Sequence, residues 1–262
     1  MKMLRVVLAA IVFAVGVAMP VARATDGSDL YWNPNESGWG MQLVERGGII
    51  FATLYVYAFD GSPTWYAAGI VPQAAPGTWS GNLYTGTGPW FGAVPFDPQN
   101  VKANKVGTLT WVKHTVETGT LTYDVNGVTV TKFAVREPLV DEVYSGTYSG
   151  AWHVTASQCT NPALNGTVEM GAVLLVNQSG KSVDLMANFV GGLLCTFSGK
   201  LDQYGQMAQV RGNYTCNNGD NGKFTLFELQ VYPYAITGAI TTSESTFGCQ
   251  DFGWFGAMRR AN

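Results

Sequence analysis

Charge is scarce in this chain: Asp, Glu, Lys and Arg make up 13% of 262 residues, and basic residues nowhere gather into a patch. A nucleic-acid footprint needs phosphate-neutralising Lys and Arg on one face, so the composition argues against such a partner. Histidine is scarcer still, with only His114 and His153. A three-histidine zinc site is therefore impossible, H-E-x-x-H is absent, and neither a metal nor a cofactor is implied. The four cysteines include no C-x-x-C pair, which removes zinc clusters and thioredoxin-like redox sites. G-x-S-x-G is missing as well. Its nearest relatives, Gly77-Thr-Trp-Ser-Gly81 and Gly146-Thr-Tyr-Ser-Gly150, set the serine one position late, and a nucleophile elbow also needs a strand-to-helix turn. Beyond residue 24 no apolar pattern recurs at three and four, so helices are not expected. No later apolar run is long enough to anchor the chain in a bilayer.

The chain opens with Lys2 and Arg5, an apolar stretch from Val6 to Met19, and the small-residue site Ala22-Arg23-Ala24. That order reads as a cleaved secretory signal over residues 1–24. Its removal takes away three basic residues and no acid, which moves the net charge from −3 to −6. The expected product is exported, periplasmic or extracellular, with no stable membrane anchor.

Gly (32), Tyr (12), Phe (13) and Trp (8) are plentiful in place of charge, a composition suited to pleated sheet and tight turns. The clearest hairpin is Gly119–Val125, Asn126-Gly127, Val128–Val135. Asn-Gly accepts positive φ at both central positions of a type I′ turn, so Val125 should face Val128 and Tyr123 should face Val130. Around Phe51 the alternation leaves no polar side. Phe51, Tyr55, Tyr57 and Phe59 share one face, while Ile50, Leu54, Val56 and Ala58 share the other. Asp60-Gly61 then turns the chain into Pro63–Ile70. Both faces should be covered, by protein on the simpler reading or by a bound aromatic-stacking ligand.

Strand signals at intervals of roughly ten residues predict an all-β chain of two antiparallel barrel-like or sandwich-like halves. The segment Glu137–Val143, with its proline and acids, divides residues 25–137, rich in aromatics, from residues 138–262, which hold every cysteine. A faint repeat supports the division: Gly107-Thr-Leu-Thr-Trp and Gly119-Thr-Leu-Thr resemble Gly212-Asn-Tyr-Thr-Cys and Gly222-Lys-Phe-Thr. Cys195 and Cys216 flank a hairpin turning at Gln203-Tyr204-Gly205 and should bond across it. Elimination leaves Cys159 for Cys249, with the other pairings still open.

Aromatics carry the functional signal. Trp32, Trp79 and Trp90 sit in turn-like settings near Asn33-Pro34, Gly77 and Pro89 and are candidates for exposure, whereas Trp39 and Trp65 are expected in the core. With Tyr55 and Tyr57, the three exposed candidates form the ligand-binding set, since exposed rings stack on sugars and apolar ligands. His114 and His153 read as structural. Asn217–Gly222 reads as a tight turn without the ligand spacing of a calcium loop. The carboxylates Glu36, Asp60, Glu169, Asp184 and Glu228 are scattered, and a hydrolase would need two of them in one cleft.

The run Trp32-Asn-Pro-Asn-Glu-Ser-Gly-Trp-Gly40, continued by Gly48, Phe51, Tyr57, Gly61, Pro63 and Trp65-Tyr66, resembles a family of secreted, β-rich proteobacterial proteins. These carry W-N-P-x-E-x-G-W-G and then G-x-P-x-W. Asp124-Val-Asn-Gly-Val128 and the ending from Cys249 to Arg260 also fit. The resemblance implies export and β structure and brings no catalytic residue with it. The leading expectation is a non-catalytic module that binds a glycan or another amphipathic ligand. A surface-assembly component is the alternative, and a paired-carboxylate hydrolase the third.

Overall fold

A computed structural model describes residues 26–260, so the expected signal segment lies outside the described residues. The fold is all-β, with two closed eight-stranded antiparallel barrels in series. The first comprises β1 (Asp29–Trp32), β2 (Gly40–Arg46), β3 (Ile49–Tyr57), β4 (Pro63–Pro72), β5 (Thr78–Thr87), β6 (Lys102–Lys113), β7 (Thr118–Val125) and β8 (Val128–Arg136). The second comprises β9 (Gly146–Ser157), β10 (Gly166–Ser179), β11 (Ser182–Phe189), β12 (Leu194–Tyr204), β13 (Met207–Cys216), β14 (Asn221–Tyr232), β15 (Ala235–Ser243) and β16 (Gln250–Arg259). Each strand pairs with its sequence neighbours, and the first and last strands of each set pair to close it. Closure removes the free sheet edges that would otherwise recruit other strands.

Local rules set the hairpins. Asn126 (φ 50°) and Gly127 (φ 86°) take the left-handed values that the turn requires, and the register is Val125 on Val128 and Tyr123 on Val130. The β12–β13 turn falls one residue later than expected, on Gly205-Gln206, because Tyr204 still pairs with Met207. Cys195 lies directly opposite Cys216, and both expected disulfides, Cys195–Cys216 and Cys159–Cys249, are formed.

Side chains fill both lumens. In the first, Met41, Leu43, Ile50, Leu54, Ile70, Leu83, Leu109, Trp111 and Leu121 are 2% exposed or less. In the second, Trp152 stacks on Phe255 at 4.6 Å and on Phe197 at 6.1 Å. The two apolar faces of β3 therefore meet different fates. Ile50 and Leu54 fill the lumen, whereas Phe51 (54% exposed), Tyr55 (50%) and Tyr57 (61%) face outward. This corrects the expectation that protein covers both sides. A single-walled barrel has one inside, and among the described residues no second layer lies over β3 and β4.

The same clasp closes both barrels. Tyr31 of β1 lies opposite Arg136 of β8, and Tyr148 of β9 lies opposite Arg259 of β16. Each guanidinium sits over its tyrosine ring, at 5.6 and 4.9 Å, and each tyrosine hydroxyl donates to the carbonyl four residues back, on Gly27 and on Tyr144. Ser28 Oγ accepts from Glu45 N–H and Ser145 Oγ from Gln178 N–H, while the Glu45 and Gln178 side chains accept from Gly27 and Tyr144 N–H. These equivalences pair β1 with β9 and β8 with β16. The faint repeat instead aligns β6 and β7 with β13 and β14, one strand out of step, so it is not the correspondence that the two closures define.

Residues 137–145 between the barrels are held in place. Gln203 donates to Val140 O at 2.7 Å and accepts from Glu142 N–H at 2.9 Å. Across the junction, Gln206 N–H of the second barrel donates to Asp29 Oδ2 of the first at 3.3 Å.

Candidate functional site

The first barrel carries an uncovered aromatic face. On the outer side of β3 and β4, Tyr55 lies opposite Trp65 and Tyr57 opposite Pro63. Trp65 is 51% exposed. A Cβ added at Gly86 would lie 3.4 Å from Trp65 Cη2, so the indole leans across β5 where that strand has no side chain. Gly38, Tyr55, Tyr57, Pro63, Thr64 and Trp65 enclose a shallow hollow of about 340 Å³. On the other side of Tyr55, Trp32, Gly40, Met41 and Glu137 bound a second hollow of about 280 Å³.

The structure thus gathers Trp32, Tyr55 and Tyr57 from the candidate set around two adjoining hollows. Trp79 is elsewhere. It is half-buried against the core and donates its Nε1–H to Gly48 O at 2.9 Å, which makes it a packing residue. Trp90 is 66% exposed on the β5–β6 loop, where it meets Phe91 at 5.2 Å, and it lines neither hollow. Trp39 does pack on the core. Trp65 does not, because Ala68 and Ile70 take the inward positions of β4 and leave Trp65 outside.

Near Trp39 the polar groups pair with one another. Lys132 bonds Glu36 and lies 5.9 Å from the Trp39 ring. The Lys132 hydrogen bond holds the Glu36 carboxyl below its ordinary range.

The remaining chemistry-bearing residues are dispersed. His114 bonds Thr120 at 2.7 Å in the β6–β7 region. His153 meets Glu169 at 3.2 Å on the outside of the second barrel, with side chains 47% and 80% exposed. Asp60 accepts from Ser62 in the β3–β4 turn, Asp184 points outward from β11, and Glu228 faces the junction between the barrels. These five carboxylates do not gather at one cleft. In the Asn217–Gly222 loop the two Asp220 oxygens accept from Tyr214 and Ser245 at 2.9 and 2.7 Å, so the loop is built as a turn held to the barrel.

No protein-family model matches the chain, and no curated protein sequence does. Among solved structures, the chain is similar to a double mutant of the vaccine antigen transferrin binding protein B from Haemophilus parasuis. The identity is 9% and the TM-score 0.34, over 86% of this chain and 61% of that one. This chain therefore spans about three fifths of that protein's length. Among the described residues no helix is long and apolar enough to cross a membrane.

Proposed function

We propose that the protein is an exported, non-catalytic binding module whose first barrel presents Trp32, Tyr55, Tyr57 and Trp65 to a saccharide or another amphipathic ligand. The observation that carries the reading is the adjacency of Tyr55, Tyr57 and Trp65, each at least half exposed on paired strands. Leaving three large rings in water forgoes burial worth about 1.5–3 kcal/mol for a large apolar side chain, a cost that a stacking partner recovers. Two disulfides support folding in an oxidising compartment, and the resemblance of the Trp32–Gly40 run to secreted proteins supports the same placement.

A glycan array read together with intrinsic tryptophan fluorescence tests the proposal. A hit that Trp65→Ala and Tyr55→Ala weaken by about tenfold is the expected result. Silence from polysaccharides, peptidoglycan fragments and lipid vesicles alike would sink it. One further observation favours surface assembly as the second reading. Val44, Ile49, Phe51 and Val71 extend the same face with apolar side chains 42–54% exposed. Sedimentation as a concentration-independent monomer would dismiss that alternative.

A further inference from the structure

The alternation of β14 breaks at one point. Phe224 and Leu226 point into the second lumen, so period two assigns residue 228 inward as well, yet residue 228 is a glutamate. The register against β15 slips between Phe227 and Gln230, and Glu228 takes φ 52°. Through this bulge Leu229, 2% exposed, fills the lumen instead. Glu228, Gln230 and Tyr232 then form a file along the outside of the strand. A non-glycine residue at positive φ is costly, and bulges that re-aim side chains recur beside binding sites.

That file forms one wall of a hollow of about 550 Å³ between the barrels. The first barrel contributes Asp26 and Ser28 to the opposite side, and the second adds Gln206, Thr237 and the half-exposed Trp254. The volume falls within the roughly 300–1,000 Å³ of small-molecule sites. Arg136 also borders the hollow, but its guanidinium is spent on Val116 O, Asp26 O and Asp29, with its side chain 1% exposed. Arg136 is the cation among the described residues that line the hollow, and with its donors engaged it offers an anion no unpaired charge. Amides, hydroxyls and carboxylates beside an indole suit a neutral polyhydroxylated ring, which takes hydrogen bonds at its rim and an aromatic at its face.

We infer that the cleft between the barrels is a binding site for a short neutral saccharide, with Trp254 as the stacking platform and Gln230 and Gln206 as its hydrogen-bonding partners. The site is separate from the aromatic face of the first barrel and stands without it. Isothermal titration of the full mature chain with chitotriose, cellotriose, maltotriose and xylotriose is the test, with inorganic phosphate as the anionic control. One of the four sugars should bind one to one, and Trp254→Ala and Gln230→Ala should each weaken it about tenfold. Thr237→Phe, which fills the cleft from a strand exterior, should abolish binding while leaving the circular dichroism spectrum unchanged. The inference is overturned if no sugar binds, if phosphate alone binds, or if binding survives the three cleft variants. Binding that is lost only in Trp65→Ala and Tyr55→Ala belongs to the face of the first barrel and overturns the cleft while sparing the earlier proposal.

Discussion

Replacing Arg136 by alanine should damage the protein far more than the same change at Arg259, although the two residues close equivalent barrels. Arg136 donates to Val116 O and Asp26 O at 2.6 and 2.7 Å, pairs with Asp29 at 3.3 Å, and covers Tyr31. Its removal strands the Asp29 carboxylate, whose side chain is only 4% exposed. Leu30 and Gln206 N–H groups still bond that carboxylate but supply no positive charge. Breaking one side of such a pair costs about 3–5 kcal/mol. Arg259 loses bonds to Ser145 O (3.0 Å) and the Tyr148 hydroxyl (2.7 Å) along with its ring contact, and it leaves no ion behind, so about 1–2 kcal/mol is expected. Urea unfolding followed by tryptophan fluorescence suits the comparison, because six of the eight tryptophans lie in the first barrel. Adding Asp29→Asn to Arg136→Ala should restore about half of the loss by removing the unpaired charge. Equal costs at the two arginines, or a double variant as unstable as the single, would refute the reasoning.

Other consequences follow from the same structure. Opening the Cys159–Cys249 bond by serine substitution releases a 90-residue separation and should cost about 4.5 kcal/mol, against about 3 kcal/mol for Cys195–Cys216 with its separation of 21; the ranking is read from urea midpoints. Burial raises the Glu228 carboxyl above its ordinary 4.5, with Lys113 and Arg136 pulling it back and Glu117 adding to the rise. The folded state therefore holds that proton more tightly than the unfolded chain does, and the resulting stability, full below about pH 4.5, fades as pH rises through the shifted value. Glu228→Gln should accordingly gain on the wild type between pH 4 and pH 7, and a difference in unfolding free energy that stays flat over that range would contradict the assignment.

Hairpins and disulfides were legible because they obey local rules. Asn126-Gly127 sets its own turn and register, and Cys195 and Cys216 meet because the hairpin between them has almost no loop. Closure was not legible, since the pairing of β1 with β8 joins residues over a hundred positions apart and no local pattern distinguishes a barrel from a sandwich. The inside of β3 and β4 was undecided for a related reason: with oily residues on both faces, alternation fixes the phase but not its sign. The small outward residues Ala67 and Gly69, next to the inward Ala68 and Ile70, also leave that sign open. A stronger signal lay elsewhere. Ser28-x-x-Tyr31 with Ala134-Val-Arg136 recurs as Ser145-x-x-Tyr148 with Ala257-Met-Arg259, and it marks the first and last strands of both barrels. Glu228 in an inward phase likewise announced the bulge that lines the cleft.

The two barrels share a closure and differ at the ends that face away from the junction. In the second barrel that end is stapled: Cys159–Cys249 ties the β9–β10 connection to the β15–β16 connection, and Thr160 N–H, Thr246 N–H and Asn217 bond across neighbouring loops. The first barrel has no cysteine, and its corresponding loops carry Phe59, Trp90 and Phe91, from 66% to fully exposed. Loops on a rigid scaffold are where binding surfaces are built. Disulfides that constrain those loops and aromatics that project from them are alternative uses of the same position. At the junction Gln206 N–H bonds Asp29, which Arg136 pairs, and Gln203 ties the connecting segment to the second barrel. A cleft walled by hydrogen-bonded strands holds its lining residues on ordered backbone and avoids part of the entropic cost of ordering them around a ligand. Exposed rings on an open face keep more rotamer freedom, which binding must remove. If both sites operate, the cleft should bind with the smaller loss of conformational freedom and the aromatic face with the broader range of ligands.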